Sequence, residues 1–305
     1  MEAYLSGETE GDFRQTSTQV QSVWTEARKA SRRLSVAWEL LDHGARINCG
    51  EASVSARNRH KLVKTIRALL STERDRALHD KLNQGKAMVC VAADPANSNV
   101  MRSGRYTRFI GWRFVHRCRL NLLPLNATRV WAPAADKRCR RCGYGEETLP
   151  HVLCQCMRQS RAMTERHNAI VARNKKAALG SFAVIAENHV VGTTSLKPDL
   201  VLARGEEALI LDVCCPLENR LQAFQDARKA KEEKYAPVQR HLLRRFQRLT
   251  VDAVVVGCLG TWDQGNDRVM RRLCSRQYLQ TMKRLCISDT INASTMIFRA
   301  HVGTS

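Results

Sequence analysis

Apolar and polar positions follow two different rhythms in the two parts of this chain. From Val23 to about Leu82 the spacing is helical and the segment strongly basic. In RHKLVKTIRALL the apolar residues Leu62, Val63, Ile66, Leu69 and Leu70 fall on one face at a period of about 3.6. Residues 1–20 are polar and poor in bulky apolar groups, which predicts a disordered lead-in. Asp94-Pro95 marks a loop, and Pro124 and Pro133 bracket a connector. Beyond Cys156 the pattern changes. A basic helix is predicted from about Arg158 to Ala178, then two apolar, partly alternating runs, a long helix from Arg220, a buried strand VDAVVVGCLG and a basic helix from about Arg268. That order predicts an α/β domain around a small mixed sheet, after a helical, basic first half.

The two alternating runs, DLVLAR and EALILDV, meet at Gly205-Glu206, and glycine in the first loop position suits a two-residue hairpin turn. With that loop, Arg204 faces Glu207, Leu202 faces Leu209, and Asp199 faces Asp212. Two aspartates directly across a ladder stand about 4.5–5.5 Å apart at Cβ and repel one another unless a cation lies between them. The pair therefore points to a metal ion. A different register, which would separate them, is the structural alternative.

Charge narrows the partner. Lys and Arg number 50 against 29 Asp and Glu, a formal net charge of +21. Such a surplus favours a polyanion, nucleic acid before others, although a generically basic protein shares the composition. The N-terminus has no basic start followed by an apolar core, and no apolar run approaches ~18 residues, so neither a signal peptide nor a membrane span is expected. Twelve cysteines in 305 residues are too few for a disulfide scaffold, and clustered cysteines in a reducing compartment read as metal ligands. The expected compartment is the nucleus, the nucleolus included.

CRRCGYGEETLPHVLCQC places Cys139, Cys142, His151 and Cys156 at the spacing of a closed tetrahedral Zn2+ site. Cys154 competes with Cys156 for the fourth position. Upstream, RYTRFIGWRFVHRCRLNLLPLNATRVW interleaves arginines with Tyr106, Phe109, Trp112 and Phe114. Such a segment can track phosphates and stack on bases, or its aromatics can be the buried face of a helix. Arg113, Arg117 and Arg119 here, and Arg140 and Arg141 in the cysteine cluster, are candidate nucleic-acid contacts.

A carboxylate pair can hold Mg2+ or Mn2+, and phosphodiester hydrolysis also calls for a nearby lysine. The helix from Arg220 can supply one. Asn219 is a plausible N-cap with Gln222 three residues on. Leu221, Phe224, Lys231 and Tyr235 share a face that packs on the sheet, whereas Lys229 is about 200° round the helix from Lys231 and faces solvent. Lys231 is the candidate, Lys234 a second choice, and a snorkelling surface lysine the bland alternative.

Together KPDLV, LDV, KEEKY and GTW resemble the restriction-like endonuclease of site-specific non-LTR retrotransposons that insert into ribosomal RNA genes. RLNLLPLNATRVW is similar to that family's linker motif, and RHNAI, at 166–170, to the segment after its CCHC knuckle. The likeness covers about residues 100–305. It implies the C-terminal part of a polyprotein, laid out as a lead-in over 1–20, a thumb- or linker-like region over 21–135, a knuckle over 136–158 and a PD-(D/E)xK-type nuclease domain over 159–305. It implies Asp199 and Asp212 as ligands of Mg2+ or Mn2+, Lys231 as active-site lysine with Tyr235 as its helical companion, and Lys197, Arg166 and His167 as nucleic-acid contacts. The implied activity is a first-strand nick in target DNA for target-primed reverse transcription, with element RNA as a second partner and a dimer on DNA as one mode of action. Cys214 stands where the wider superfamily often has its lysine. The chain also contains no Asp-Asp dipeptide, so the polymerase signature is absent from it. The alternative is a remnant or host-recruited protein that grips nucleic acid without cutting.

Overall fold

Alternation decides which way each strand faces, and the computed structural model, which describes residues 1–9, 21–129 and 136–303, carries that alternation into two separately packed units, Met1–Asp80 and Lys81–Ser305. Residues 10–20 of the expected lead-in and Pro133 of the connector lie outside the described residues. Among the described residues, no helix is long and apolar enough to cross a membrane.

The first unit departs from an all-helical reading. It holds α1 (Glu2–Ser6), α2 (Val23–Leu34) and α3 (Leu62–His79), but Val36–Leu41, Gly44–Cys49 and Ala52–Ser55 form an antiparallel meander, β1 to β3. Ser22 caps α2 by accepting a hydrogen bond from Thr25 N at 3.2 Å. Ser35, at φ 51°, ends it. Two tight turns then return the chain, the second at Gly50 with φ +56°, a conformation glycine adopts without steric cost. Those turns, rather than the helical spacing, decide the local structure.

The second unit opens with α4 (Gln84–Ala93), α5 (Asn99–Ser103) and α6 (Phe109–Arg119). After the cysteine segment come α7 (Ser160–Ala178), β4 (Ala183–Glu187), β5 (Leu200–Arg204), β6 (Glu207–Cys214), α8 (Arg220–Lys234), α9 (Ala236–Leu242), β7 (Arg248–Gly257), β8 (Thr261–Trp262), α10 (Asn266–Leu273) and α11 (Arg276–Val302). The predicted last helix is thus two, broken before Ser275, whose hydroxyl caps α11. The sheet has the order β4-β5-β6-β7-β8, with β6 and β7 parallel and the other pairs antiparallel. The α/β class expected for this part of the chain is the one observed. The boundaries expected at 135/136 and 158/159 fall inside this unit, so the cysteine segment packs with the sheet and its helices.

Parity sorts the sheet. Leu200, Leu202, Leu209, Leu211, Val213, Val254 and Val256 join the main core with residues of α6, α7 and α11. Val201, Ala208, Ile210 and Val251 face the other way, against Tyr235, Val238 and Leu242 of the α8–α9 segment. Asp212 shares the parity of Ile210 and so belongs to the α8–α9 face, whereas Asp199, in the bend just before β5, sits at the end of the same ladder.

A buried cation ties the helices at one end of the sheet. Lys283 of α11 lies 2.7 Å from both Asp94, after α4, and Asp267 of α10. Removing one partner from a buried ion pair strands the others. Lys283→Met is therefore expected to cost about 3–5 kcal/mol in denaturant unfolding, because two carboxylates lose their counter-charge. A loss below about 1 kcal/mol would show that Asp94 and Asp267 find solvent without it.

Candidate functional site

The hairpin has the predicted register. Arg204 pairs with Glu207 and Leu202 with Leu209, and the ladder runs back to Leu200 opposite Leu211. One step further, Asp199 comes level with Asp212. Asp199 lies in the bend after Pro198, and its Oδ2 accepts a 2.7 Å hydrogen bond from Val213 N, which ties the bend to β6. Asp212 is 2% exposed and ion-pairs with Lys231 Nζ. Among the described residues its buried Oδ2 has no partner beyond that ammonium.

The second cation comes from α7. His167 Nε2 lies 2.9 Å from Asp199 Oδ2, at the mouth of a cleft of about 620 Å3 lined by Met163, Thr164, Asn168 and Glu187. Burial works against charge on both cations. For His167, the hydrogen bond and charge of Asp199 outweigh it and raise the pKa above the usual histidine range. For Lys231, the hydrogen bond and charge of Asp212 do the same, helped by Asp199, and the pKa rises. Burial pushes the Cys214 thiol up to about 12, so the position where the wider superfamily carries its lysine is uncharged here.

Helix α8 brings Lys231 in as its spacing predicted, with two corrections. Leu221 is 38% exposed rather than packed on the sheet; Phe224 alone of that pair is buried. The capping box at Asn219 does not form, since Asn219 makes no side-chain cap and Gln222 bonds Asp226 instead, at 2.8 Å. What anchors α8 is Arg228, one turn before Lys231. It pairs with Asp252 of β7 and reaches Asp263 and Asn266, each at 2.7 Å. Lys229 points to solvent, as expected. The buried Tyr235 donates its hydroxyl to the Lys197 carbonyl at 3.0 Å and so holds the strand that leads into Asp199. Burial, then Asp212 and Asp199, raise its pKa, so it stays a phenol and serves as a positioning residue. Lys234 covers its ring, with Nζ 3.1 Å from the hydroxyl.

The cysteine cluster converges. The ligand atoms of Cys139, Cys142, His151 and Cys156 all lie within 4.8 Å of one another, the set of nitrogen and sulfur donors that suits Zn2+. Cys156 wins over Cys154 because the turn is wide: Cys156 N donates to the His151 carbonyl five residues back, at 2.7 Å, which puts both side chains on one side. Cys154 turns away to Cys258 Sγ, 3.6 Å distant. Glu147 locks the cluster from outside. It accepts from Arg140, from Asn126 N at 2.8 Å, and from His301 Nε2 at 2.8 Å, so the end of α11 is pinned to the cysteine loop.

Several arginines are therefore structural. Arg119 is buried and donates to the Asn97, Leu259 and Gly260 carbonyls. Arg166 is buried between Ser294 and the Leu153 carbonyl. Arg140 is occupied by Glu147, and Arg141 by the carbonyls of Ala300 and His301. Arg140 and Arg141 stay exposed despite these bonds, as do Lys197, Arg113 and Arg117. His167, expected as a nucleic-acid contact, is a partner of Asp199. The sequence gives no local signal for that pairing, because 32 residues separate the two.

Over 196 residues, 62% of the chain, the sequence is 28% identical to the retrovirus-related Pol polyprotein from type-1 retrotransposable element R2 of Popillia japonica. The match spans 39% of that protein's length. No protein-family model matches the chain. The similarity supports a relation to a non-LTR retrotransposon polyprotein.

The cysteine geometry makes a specific demand on metal content. Cys156→Ser is expected to lose stoichiometric zinc by elemental analysis, while Cys154→Ser keeps it. The reverse result would move the fourth ligand to Cys154.

Proposed function

From that similarity we propose that this chain is a metal-dependent DNA endonuclease, the nicking part of a retrotransposon polyprotein, with a zinc knuckle fixed beside it. One observation carries the reading: Asp199, in the bend just before β5, comes level with Asp212 of β6 one step beyond the last paired residues, and a lysine from α8 meets the buried Asp212. Two acids brought level repel one another unless cations balance them, and the pair offers the oxygen ligands that Mg2+ or Mn2+ prefers. The single partner of the buried Asp212 Oδ2 fits a carboxylate kept for an ion. Bound there, the ion would act as a Lewis acid on the phosphate and favour ionisation of a water.

The chain's own groups do the rest. Lys231 is held charged beside Asp212, where an ammonium stabilises the charge that builds on phosphate oxygens during the displacement. Arg228 fixes the helix that carries it, and Tyr235 fixes the approach to Asp199. His167 holds the Asp199 carboxylate from the cleft side, and Lys197, two residues before Asp199, is exposed and free to meet a phosphate. Nuclear DNA is the proposed substrate, and a nick that primes reverse transcription the proposed product, with element RNA as a further partner.

A second reading draws on the same geometry. Each carboxylate already has a side-chain cation, as in a protein that grips nucleic acid and no longer cuts.

Supercoiled plasmid separates the two. Nicking in Mg2+ or Mn2+ is expected from the unsubstituted protein and lost with Asp199→Ala or Asp212→Asn. Lys231→Ala is expected to slow it by about 100-fold or more, with circular dichroism unchanged, and Lys229→Ala to leave it intact. Plasmid retardation without nicking by any of them would establish the non-cutting reading.

A further inference from the structure

The aromatic residues upstream of the cysteine cluster divide into two groups in the fold. Phe114 is buried, with its ring 5.6 Å from that of Phe298. Phe109, Trp112 and His116 instead line up along α6 as a ladder of near-parallel rings. Their centroids are 5.7 Å apart at 9° and then 5.5 Å apart at 1°. Phe109, at one end, is 70% exposed, and Ile110 beside it is exposed as well. A large apolar surface left in water marks a binding face more often than a packing accident.

The charge around the ladder selects what could cover it. Between Asp94 and Asp136 the sequence has seven arginines and not one acidic residue. Arg119 is spent inside the fold, but Arg113 and Arg117, one turn apart, form a row beside the rings, and both are exposed. Arg105, Arg108 and Arg113 form no ion pair among the described residues. A cleft of about 510 Å3 runs alongside, between α6 and α11, with Phe109, Ile110, Leu123 and Phe298 among its walls and Arg113 and Arg117 on its rim.

We propose that this face of α6 is a stacking platform for unpaired bases of single-stranded nucleic acid. A base added to the open face of Phe109 would continue the ladder, while Arg113 and Arg117 would take the phosphates. Duplex bases are already stacked on one another and could not use the rings. Planar guanidinium groups also suit phosphates and bases better than lysines would, and this stretch contains no lysine. The platform does not depend on the carboxylate site. It would hold a strand whether or not the protein cuts.

The test is binding by the full chain carrying Asp199→Ala, without added divalent ion, so that its failure leaves the nuclease reading untouched. Fluorescence anisotropy would compare oligo(dT), oligo(U) and a hairpin duplex of equal length. Phe109→Ala is expected to weaken single-strand binding about tenfold, to leave duplex binding unchanged and to leave the salt slope unchanged, because stacking releases no counterions. Phe109→Tyr should restore it. Arg113→Ala should reduce the slope of log affinity against log salt by about 0.7. The DNA and RNA arms decide which strand is preferred. Single-strand binding indifferent to Phe109, equal losses on single strand and duplex, or no single-strand binding by the full chain would each overturn the proposal, and would leave the patch to a protein partner.

Discussion

A carboxylate shut away from water must be balanced by a cation, and in this protein Asp212 imposes that requirement on everything near it. A buried carboxylate left without a counter-charge is costly, so Lys231 must arrive with its charge intact and in one place. That fixes α8 to the sheet, and the fixing is again electrostatic. Arg228 reaches across to Asp252, Asp263 and Asn266, so the helix cannot slide by a turn without breaking a second buried ion pair. Arg268 adds to the same Asp252 from α10 at 2.9 Å. The apolar contacts between α8 and the sheet are modest, with Phe224 the one fully buried residue of the helix, so the ion pairs set its position.

What could be read from the sequence and what could not follow from distance along the chain. The hairpin register was legible because one short loop and strict alternation leave a single way to pair DLVLAR with EALILDV. The helical face of Lys231 and the solvent-facing Lys229 were legible for the same kind of reason, a fixed angle per residue. The meander of the first unit was hidden by helix-like spacing that its two tight turns override. Contacts between distant segments had no local signature at all. His167 finds Asp199, Glu147 finds His301, and Arg119 and Arg166 turn inward, only because the sheet and α11 bring those segments together. A basic residue in a basic protein reads as surface until the structure shows which carbonyls it satisfies.

The long α11 gives the second unit its unity. At about 1.5 Å per residue its 27 residues span about 40 Å, and the stretch from the Lys283 ion pairs to the cysteine loop at His301 covers about 27 Å of that. Arg166 of α7 is held to Ser294 along the way, so the helix beside the carboxylate cleft and the cysteine loop share one rigid support.

The wide turn from His151 to Cys156 bears on how the knuckle can vary in length. It holds one residue more than an ordinary helical turn while still returning its two ends to the same side. Dropping Gln155 would leave a normal turn, in which positions four apart also meet, and the donor set would survive the deletion. An added residue would swing the last cysteine roughly 100° away with nothing to bring it back. Along this loop, then, spacing can shrink by one step without separating the four donor side chains, but it cannot grow.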